Sequence, residues 1–248
     1  MGAIRVMWIR QLKKYWRSKP RMIGSLAQPI LFLVALGFGF GPMFEKAGGG
    51  SYITFLAPGI ITMSILFTAM FTGIELIWDR QFGFLKETLV SPASRFNIFL
   101  GRTLGGATVA TIQGIIVFLI TLAIGFRPES IFLLPVALLI MFLIAFVFTA
   151  FGTAIATMLE DMQAFPLIIN FLIMPTFFLS GALFPLAQAS GTIRIIALVN
   201  PLSYGVDALR NLLTGIPHLS LFVDVSVLIV CAIVVSIAGS YFFSKMQA

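Results

Sequence analysis

Few side chains in this chain of 248 residues are suited to catalysis. His218 is the single histidine and Cys231 the single cysteine, so a histidine-rich metal site or a serine–histidine pair would depend on His218 alone, at a membrane edge. The chain has no Gly-Lys pair, and therefore no Gly-x-x-x-x-Gly-Lys loop to hold nucleotide phosphates. We expect no catalytic residue, metal ligand or bound cofactor on this chain, and no enzyme activity of its own.

One polar stretch lies between long apolar runs, WDRQFGFLKETLVSPASR from Trp78 to Arg95, with five charged residues among eighteen. Apolar residues are interleaved with its charges, namely Phe82, Phe84, Leu85 and Leu89. Their spacing predicts a short amphipathic helix over 82–90. Pro92, after Ser91, is expected to end that helix. Such a helix between two membrane segments is suited to transmit movement from a soluble partner. The alternative is an ordinary connecting loop.

The elements that position these residues are predicted to be membrane helices. Hydrophobic residues make up 59% of the chain and charged residues 10%, whereas soluble domains have roughly 25% charged residues. Six apolar runs are long enough to cross a bilayer as helices of about 20 residues; they cover 22–41, 54–77, 102–126, 131–158, 163–186 and 219–243. We predict an all-α integral membrane protein, with a single transmembrane domain over 1–248 and six transmembrane helices within 22–243.

Lysine and arginine are unequally divided between the two predicted sides of the membrane, with twelve on one side and four on the other. Because cytoplasmic segments carry an excess of these bases, we predict a multi-pass protein of the plasma or inner cell membrane with both termini in the cytoplasm. The net charge of +7 is then explained by topology and by contact with lipid headgroups. We expect no nucleic acid partner.

Residues 4–18, IRVMWIRQLKKYWRS, are predicted to form a separate amphipathic helix within the cytoplasmic segment 1–21. Apolar residues recur there at helical spacing, and the opposite face carries Arg10, Lys13, Lys14 and Arg17. We expect this helix to lie in the membrane interface, with its bases toward anionic headgroups. It is either an anchor for the first membrane helix or a contact for a partner, and the two roles are compatible.

The segment 187–219, before the last membrane helix, is too polar to cross the bilayer and too apolar for a free loop. Within it, Asn200 is placed to cap a helix whose first residue is Pro201. We predict short helices that re-enter the outer leaflet, where neighbouring protein covers their backbone.

Glycine and proline residues mark two of the apolar runs. The fifth run contains prolines at 166, 175 and 185, and a proline inside a helix removes a backbone hydrogen bond and bends the axis. At the start of the third run, Gly101 and Gly105 have the spacing of a close helix-packing face, with Arg102 between them.

Glu75 is interpreted as the only acid inside an apolar run, near the edge of that run and near Arg80. Ionisable residues within the membrane are the usual sign of an ion path. An ATP-independent channel or secondary carrier is therefore the alternative function. A carrier driven by ions would, however, be expected to have acids or histidine near the middle of its membrane helices. We infer that the energy for any transport comes from a partner.

Two stretches resemble one protein family. WDRQFGFLKETLVSPASRFNIFLGR is similar to the segment between the second and third membrane helices of ABC-2 type permeases, the membrane subunits of ATP-binding cassette exporters. Gln81 replaces an expected glutamate, while the matching residues are Asp79, Arg80, Gly83, Leu85, Leu89, Ser91, Pro92, Ser94 and Arg95. NPLSYGVDALR, residues 200–210, resembles the motif that precedes the last membrane helix of the family.

The resemblance implies partners and roles. It implies a homodimer, or a heterodimer with a second permease, together with ATP-binding cassette ATPase subunits on a separate chain that hold ATP and Mg. Residues 4–18 correspond to the family's N-terminal amphipathic helix, which contacts membrane lipids. The ATPase-coupling residues of the family's coupling helix correspond to Phe82, Gly83, Phe84, Leu85, Lys86, Glu87 and Leu89. The outer re-entrant motif corresponds to Asn200, Pro201, Tyr204, Asp207 and Arg210.

The function implied is export of an amphiphilic cargo, a drug, a lipid or a glycan, through the interface between two permease subunits. We expect the second and fifth membrane helices to line the path, because their aromatic and methionine side chains pack against many shapes. The candidate cargo-path residues are Phe67, Met70, Phe71, Phe171, Met174, Phe177 and Phe178.

Overall fold

The computed structural model describes residues 2–46, 51–90, 93–159, 161–186, 190–216 and 218–246. In these residues the chain forms α-helices and one 3₁₀ turn at Ile131–Leu133, and no strand. The helices are α1 (Gly2–Arg17), α2 (Lys19–Lys46), α3 (Tyr52–Phe71), α4 (Ile74–Gln81), α5 (Phe84–Val90), α6 (Arg95–Ile124), α7 (Leu134–Met158), α8 (Ala164–Phe178), α9 (Gly191–Val199), α10 (Pro201–Thr214) and α11 (Leu221–Lys245).

The core of the protein surrounds α3. Residues 56–66 of α3 are buried, and α2, α6, α7 and α10 pack around them. The outer helices α2 and α11 instead leave large apolar side chains exposed, such as Phe38 on α2 and Phe222 on α11. Lipid tails are as apolar as these side chains, so such surfaces are stable against lipid or another subunit. The chain is a multi-pass membrane protein.

Both ends of the described chain lie at the same end of the bundle as α5. Arg95 Nη1, at the start of α6, donates to Met246 O at 2.9 Å, which places the end of α11 beside the connection from α5 to α6. At the N-terminal end, Arg10 of α1 donates to Asp79 of α4 at 2.9 Å.

The opposite end of the bundle holds the connection from α6 to α7, the end of α8, and helices α9 and α10. Glu129 N, in the α6–α7 connection, donates to Leu213 O of α10 at 2.9 Å. Asn200 Nδ2, at the start of α10, donates to Thr176 O of α8 at 2.6 Å. The bundle therefore has an α5 end and an α10 end.

The second membrane helix is interrupted at residues 72–73, between α3 and α4. The backbone N–H groups of Gly73, Glu75 and Leu76 donate to the carbonyl three residues earlier, which is the 3₁₀ pattern. At this level α7 comes very close: a Cβ added to Gly73 would lie 2.4 Å from Gly152 O. A residue other than glycine at position 73 would force the two backbones apart.

Five helical segments in the described residues are long and apolar enough to cross a membrane: Lys19–Phe44, Tyr52–Gln81, Arg95–Ile124, Ile131–Met158 and Leu221–Lys245. They correspond to five of the six predicted runs. The predicted run 163–186 is helical over a shorter range, because α8 has 15 residues and the chain then turns, with φ of +75° at Gly181. Such a helix is about 22 Å long, less than the roughly 30 Å of a hydrocarbon core.

Candidate functional site

The connection from α4 to α5 forms a tight corner. α4 ends at Gln81, Gly83 turns the chain with φ of +79°, and α5 begins at Phe84. Glycine adopts this left-handed conformation without the steric cost of a Cβ. The short helix is present where the polar stretch predicts one, and it begins two residues later than the predicted 82–90.

The exposed side of this corner carries large apolar side chains. Phe82, Phe84 and Val90 are 68%, 52% and 85% exposed. Leu85 is 1% exposed and belongs to the core of the protein itself. The expectation that Leu85 contacts an ATPase is therefore wrong, because α5 uses this residue to hold itself against the bundle.

The remaining candidate residues of α5 are charged or fall outside the description. Lys86 and Glu87 are exposed, beside the apolar surface of the corner. The side chain of Leu89, and Ser91 and Pro92, which we predict to end the helix, lie outside the described residues.

Asp79 of α4 is the centre of a buried charge cluster. Its Oδ1 accepts hydrogen bonds from Arg10 Nη2 at 2.9 Å and from Lys14 Nζ at 3.0 Å. Its Oδ2 accepts from Arg102 Nη1 at 2.6 Å, and the side chains of this pair are each 4% exposed. Charges this deeply buried are stable only when they are paired. Asp79 therefore ties α1 and α6 to α4, one turn before the corner.

Glu75, one turn earlier on α4, extends the charge cluster to α2. Its Oε1 accepts from Arg21 Nη1, and Lys14 Nζ lies 3.8 Å from its Oε2. The charge cluster thus consists of Arg10, Lys14, Arg21 and Arg102 around Glu75 and Asp79.

The bases of α1 divide into two groups. Arg10 and Lys14 form ion pairs with the acids of α4, which the expectation of four bases directed only toward headgroups did not include. Lys13 and Arg17 are exposed, as expected of an interfacial helix. The bases that turn inward are those that meet the two buried acids Glu75 and Asp79, which lie more than 60 residues further along the chain.

Gly101 and Gly105 of α6 form the surface against which α1 packs closely. A Cβ added to Gly101 would lie 2.8 Å from Ile4 O, and one added to Gly105 would lie 2.6 Å from Gln11 Cβ. The predicted close-packing pair of glycines therefore exists, and its partner is α1. Arg102, between them, points to Asp79 instead.

Two hydrogen bonds continue this contact along α6. Trp8 Nε1 donates to Thr108 Oγ1 at 3.0 Å, and Tyr15 OH donates to Gln113 Oε1 at 2.5 Å. Burial raises the pKa of Tyr15 above its ordinary value, with Arg21 opposing the shift, so the hydroxyl remains a donor at neutral pH. α1 is therefore fixed to α6 along most of its length.

At the α10 end, Asn200 joins two helices with one side chain. Its Oδ1 caps α10 by accepting from Leu202 N at 3.0 Å, and its Nδ2 donates to Thr176 O of α8 at 2.6 Å. Pro201 occupies the first helical position, as predicted. Tyr204 OH donates at 2.7 Å to a carbonyl in the last turn of α9.

Asp207 and Arg210 hold α10 to its other neighbours. The Asp207 carboxylate accepts from the backbone N–H groups of residues 218–219 at 2.7 to 3.2 Å. Arg210 Nη2 donates to Gly181 O at 2.9 Å, and its guanidinium lies 4.2 Å from the Phe55 ring centroid. Burial lowers the pKa of Arg210 to about 10, while Asp207 opposes the shift, so the guanidinium stays charged at neutral pH.

The candidate cargo-path residues fall into three different environments. Phe67 and Phe71 of α3 line a cavity of about 760 Å³ at the α5 end. Met70 and Phe177 are 2% and 0% exposed, within the core. The others lie on exposed or half-buried surface of α8, namely Phe171, Met174 and Phe178. None of the four α8 candidates is among the residues that line the cavity of Phe67 and Phe71.

The interpretation of Glu75 as the only acid inside a membrane segment is wrong. Asp224 lies near the start of α11, within the predicted run 219–243, and is fully buried. Among the described residues, neither of its carboxylate oxygens has a hydrogen-bond partner. The sequence carries the signal, because Asp224 is the single charged residue of that run.

A family model described as ABC-2 type transporter matches residues 2–214, from α1 to the end of α10. The match therefore includes the α4–α5 corner, the charge cluster and residues 200–210 of the outer re-entrant motif.

Several known proteins are similar to the chain over most of its length. It is 30% identical to Nodulation protein J of Rhizobium leguminosarum bv. trifolii, over 79% of this chain and 75% of that protein. It is also 30% identical to the putative transport permease ycf38 of Cyanophora paradoxa, over 77% of this chain and 67% of that protein. The ycf38 permease of Pyropia yezoensis is 29% identical over 86% and 74% of the two chains.

Proposed function

Because the chain belongs to the ABC-2 type transporter family, we propose that it is the permease subunit of an ATP-driven exporter. The protein is a membrane transport permease. The proposal adds that separate ATP-binding cassette subunits hold ATP and Mg and hydrolyse the nucleotide, while this chain carries no cofactor. The cargo is an amphiphile, a drug, a lipid or a glycan, moved out of the cytoplasm.

The proposal includes an assembly and a topology. Two permease subunits, identical or different, form the path between them, in the plasma or inner membrane. The α5 end faces the cytoplasm, with both termini, and α8 is a short fifth membrane helix. Helices α9 and α10 re-enter the outer leaflet, and the exposed face of α1 contacts lipid.

The observation that carries the proposal is the build of the α4–α5 corner. Phe82 and Phe84 are exposed at its tip, while Leu85 and Asp79 are buried behind them. Aromatic side chains of this kind act as anchors in protein–protein interfaces. The corner thus offers an apolar tip to a soluble partner and is anchored firmly to the membrane helices.

The charge cluster gives a physical account of how force is transmitted. A push on α5 passes into α4, whose acids are bound to bases of α1, α2 and α6. Separating a buried ion pair is costly, so these helices move with α4 rather than letting it slide past them. The movement then reaches α3, which continues from α4 toward the α10 end.

Reconstitution with a candidate ATPase tests the function directly. We expect the purified chain to bind no ATP, the complex to hydrolyse ATP faster when cargo is present, and vesicles to accumulate cargo only with ATP. Transport by the chain alone would contradict the proposal and favour an ATP-independent channel or carrier. The buried Asp224 is the observation that favours this alternative.

The topology has its own test. In a Cys231→Ala background, single cysteines at positions 86 and 245 should resist membrane-impermeant reagents in intact cells. A cysteine at position 132 in the α6–α7 connection, where Phe132 is 93% exposed, should react. Labelling of position 86 from outside would show that α5 cannot meet a cytoplasmic ATPase.

A further inference from the structure

A cavity of about 760 Å³ lies between the α1–α2 junction and helices α3 and α4, at the α5 end. Cavities of several hundred Å³ are the size of small-molecule sites. Charged residues form one part of its wall, namely Lys14, Arg21 and Glu75. Aromatic residues form another part, namely Phe67, Phe71 and Trp78. The cavity therefore joins a charged region to an apolar one.

The charged region has an excess of positive charge. The charge cluster holds four bases and two acids, and Asp79 alone accepts from three of the bases. Lys14 and Arg21 are also 36% and 35% exposed, so a molecule in the cavity can reach them. On the cavity wall itself, two bases face one acid. Where charges are partly shielded from water, such an excess of positive charge favours an anion.

Arg21 and Glu75 have unused hydrogen-bonding capacity on the cavity wall. A guanidinium has five N–H donors, and within the described residues Arg21 gives one hydrogen bond, to Glu75. Glu75 Oε2 is buried and has no hydrogen-bond partner in the described part of the chain. Arg21 can therefore donate to an anionic group, and Glu75 can accept from a neighbouring hydroxyl.

The apolar wall extends from this charged region toward the middle of the second membrane helix. Phe67 and Phe71 lie one helical turn apart on α3, and Glu75 follows on α4 beyond the interruption; all three line the cavity. From Glu75 to Phe67 the wall is about 12 Å long, at 1.5 Å per residue. A ligand with its head at Arg21 would lie with its tail along the two phenylalanines.

We propose that this cavity binds an anionic amphiphile, with a phosphate or carboxylate head at Lys14 and Arg21 and an apolar tail against Phe67 and Phe71. The proposal rests on the exporter function, because it assigns the chemical class that the permease admits from the leaflet at its α5 end. It assigns to the basic residues of the α1–α2 junction a role in recognition besides their role in structure.

The test uses the full chain in nanodiscs, with Trp78 as the reporter. The chain has three tryptophans, so Trp8→Phe and Trp16→Phe leave Trp78, which lines the cavity. Phosphatidylcholine nanodiscs receive the same mole fraction of either brominated phosphatidic acid or brominated phosphatidylcholine with identical chains. We expect brominated phosphatidic acid to quench Trp78 with about fivefold higher apparent affinity, from its attraction to the exposed bases.

Three variants separate recognition from fold. Lys14→Gln with Arg21→Gln should abolish the preference for phosphatidic acid. Glu75→Gln should increase it, because that change removes a negative charge from the wall, and damage to the fold does not produce an increase. Lys13→Gln removes an equal charge from the exposed face of the same helix and should leave the preference unchanged.

Several results would overturn the proposal. These are equal quenching by the two lipids, an equal loss from Lys13→Gln, and an unchanged preference in the double variant. Displacement of the brominated phosphatidic acid by excess inorganic phosphate would show a site for free phosphate and not for an amphiphile. The measurement contains no ATPase, so such results would leave the exporter function standing, whereas a failure of ATPase coupling would leave the lipid preference intact.

Discussion

Asp79 and Arg102, 23 positions apart on α4 and α6, form an ion pair of 2.6 Å in which both side chains are 4% exposed. Asp79 has two further bases as partners, Arg10 and Lys14. In the described residues, Asp79 is the only carboxylate within ion-pair distance of Arg102. Loss of the ion pair would therefore leave Arg102 without a counter-charge, whereas Asp79 would keep two.

This inequality predicts an order of stability. Asp79→Asn leaves Arg102 buried without a counter-charge, a change that typically costs about 3–5 kcal/mol. Arg102→Gln should cost less, because Arg10 and Lys14 still neutralise Asp79. Thermal unfolding in detergent, followed by intrinsic fluorescence, measures both variants. Asp161→Asn, at an exposed position, is the control, and a larger loss from Arg102→Gln than from Asp79→Asn would contradict this account.

Phe84→Ala should weaken the association with the ATPase and uncouple hydrolysis from transport. Truncating a desolvated aromatic anchor costs about 1–4 kcal/mol of binding, whereas alanine is the best helix former and preserves α5. Lys86→Ala should matter much less, because exposed ion pairs are worth about 0–1 kcal/mol. Phe132→Ala, at the α10 end, should have no effect. Co-purification of the ATPase and cargo-stimulated hydrolysis are measured for all three; equal losses would refute the coupling role of α5.

Leu85→Ala should behave differently from Phe84→Ala although the residues are adjacent. Leu85 is in the core, and removing such a leucine side chain costs about 2–5 kcal/mol of folding stability. We expect a lowered melting temperature for Leu85→Ala and a wild-type one for Phe84→Ala. A normal melting temperature with lost ATPase binding in Leu85→Ala would show that this residue faces the partner after all.

Gly101→Ala should loosen α1 from α6. The new Cβ would meet backbone atoms of Ile4 at 2.8 to 3.0 Å, and a backbone cannot move aside as a flexible side chain can. Trypsin should then cleave faster within α1, after Lys13 or Lys14. Gly39→Ala is the matched control, because a Cβ there meets no atom within 4 Å and glycine in a helix is less stable than alanine. Similar cleavage rates in both variants would show that α1 does not need this close approach.

Local patterns were sufficient for the features that depend on neighbouring residues. The cap at Asn200 follows from the preference of asparagine and proline for the start of a helix. The close approach at Gly101 and Gly105 follows from the absence of side chains one helical turn apart. Apolar run lengths located five helices long enough to cross a membrane, with boundaries up to seven residues from those observed.

Features that depend on distant residues could not be predicted in this way. The inward direction of Leu85 and of Arg10 depends on what α4 and α6 present to them after folding. Nothing in the order of residues indicates that Asp79 meets α1. The length of α8 depends on the turn at Gly181, where Arg210 also donates to the Gly181 carbonyl. Asp224 needs no distant contact to be recognised, because it is the single charged residue of its apolar run.

The interruption at Thr72 and Gly73 gives the corner a way to turn as well as to shift. A 3₁₀ segment advances by about 120° per residue, against about 100° in an α-helix. Exchanging one hydrogen-bond partner there therefore rotates everything beyond it by about 20° and changes its length by roughly 0.5 Å. Rotation and lengthening are therefore coupled at residues 72–73. Because Gly73 and Gly152 have no side chains, no side chain at this contact would collide with α7 during the rotation. A spin label at position 84 whose orientation stays constant through the ATP cycle, while its distance to α7 changes, would show that the corner only slides.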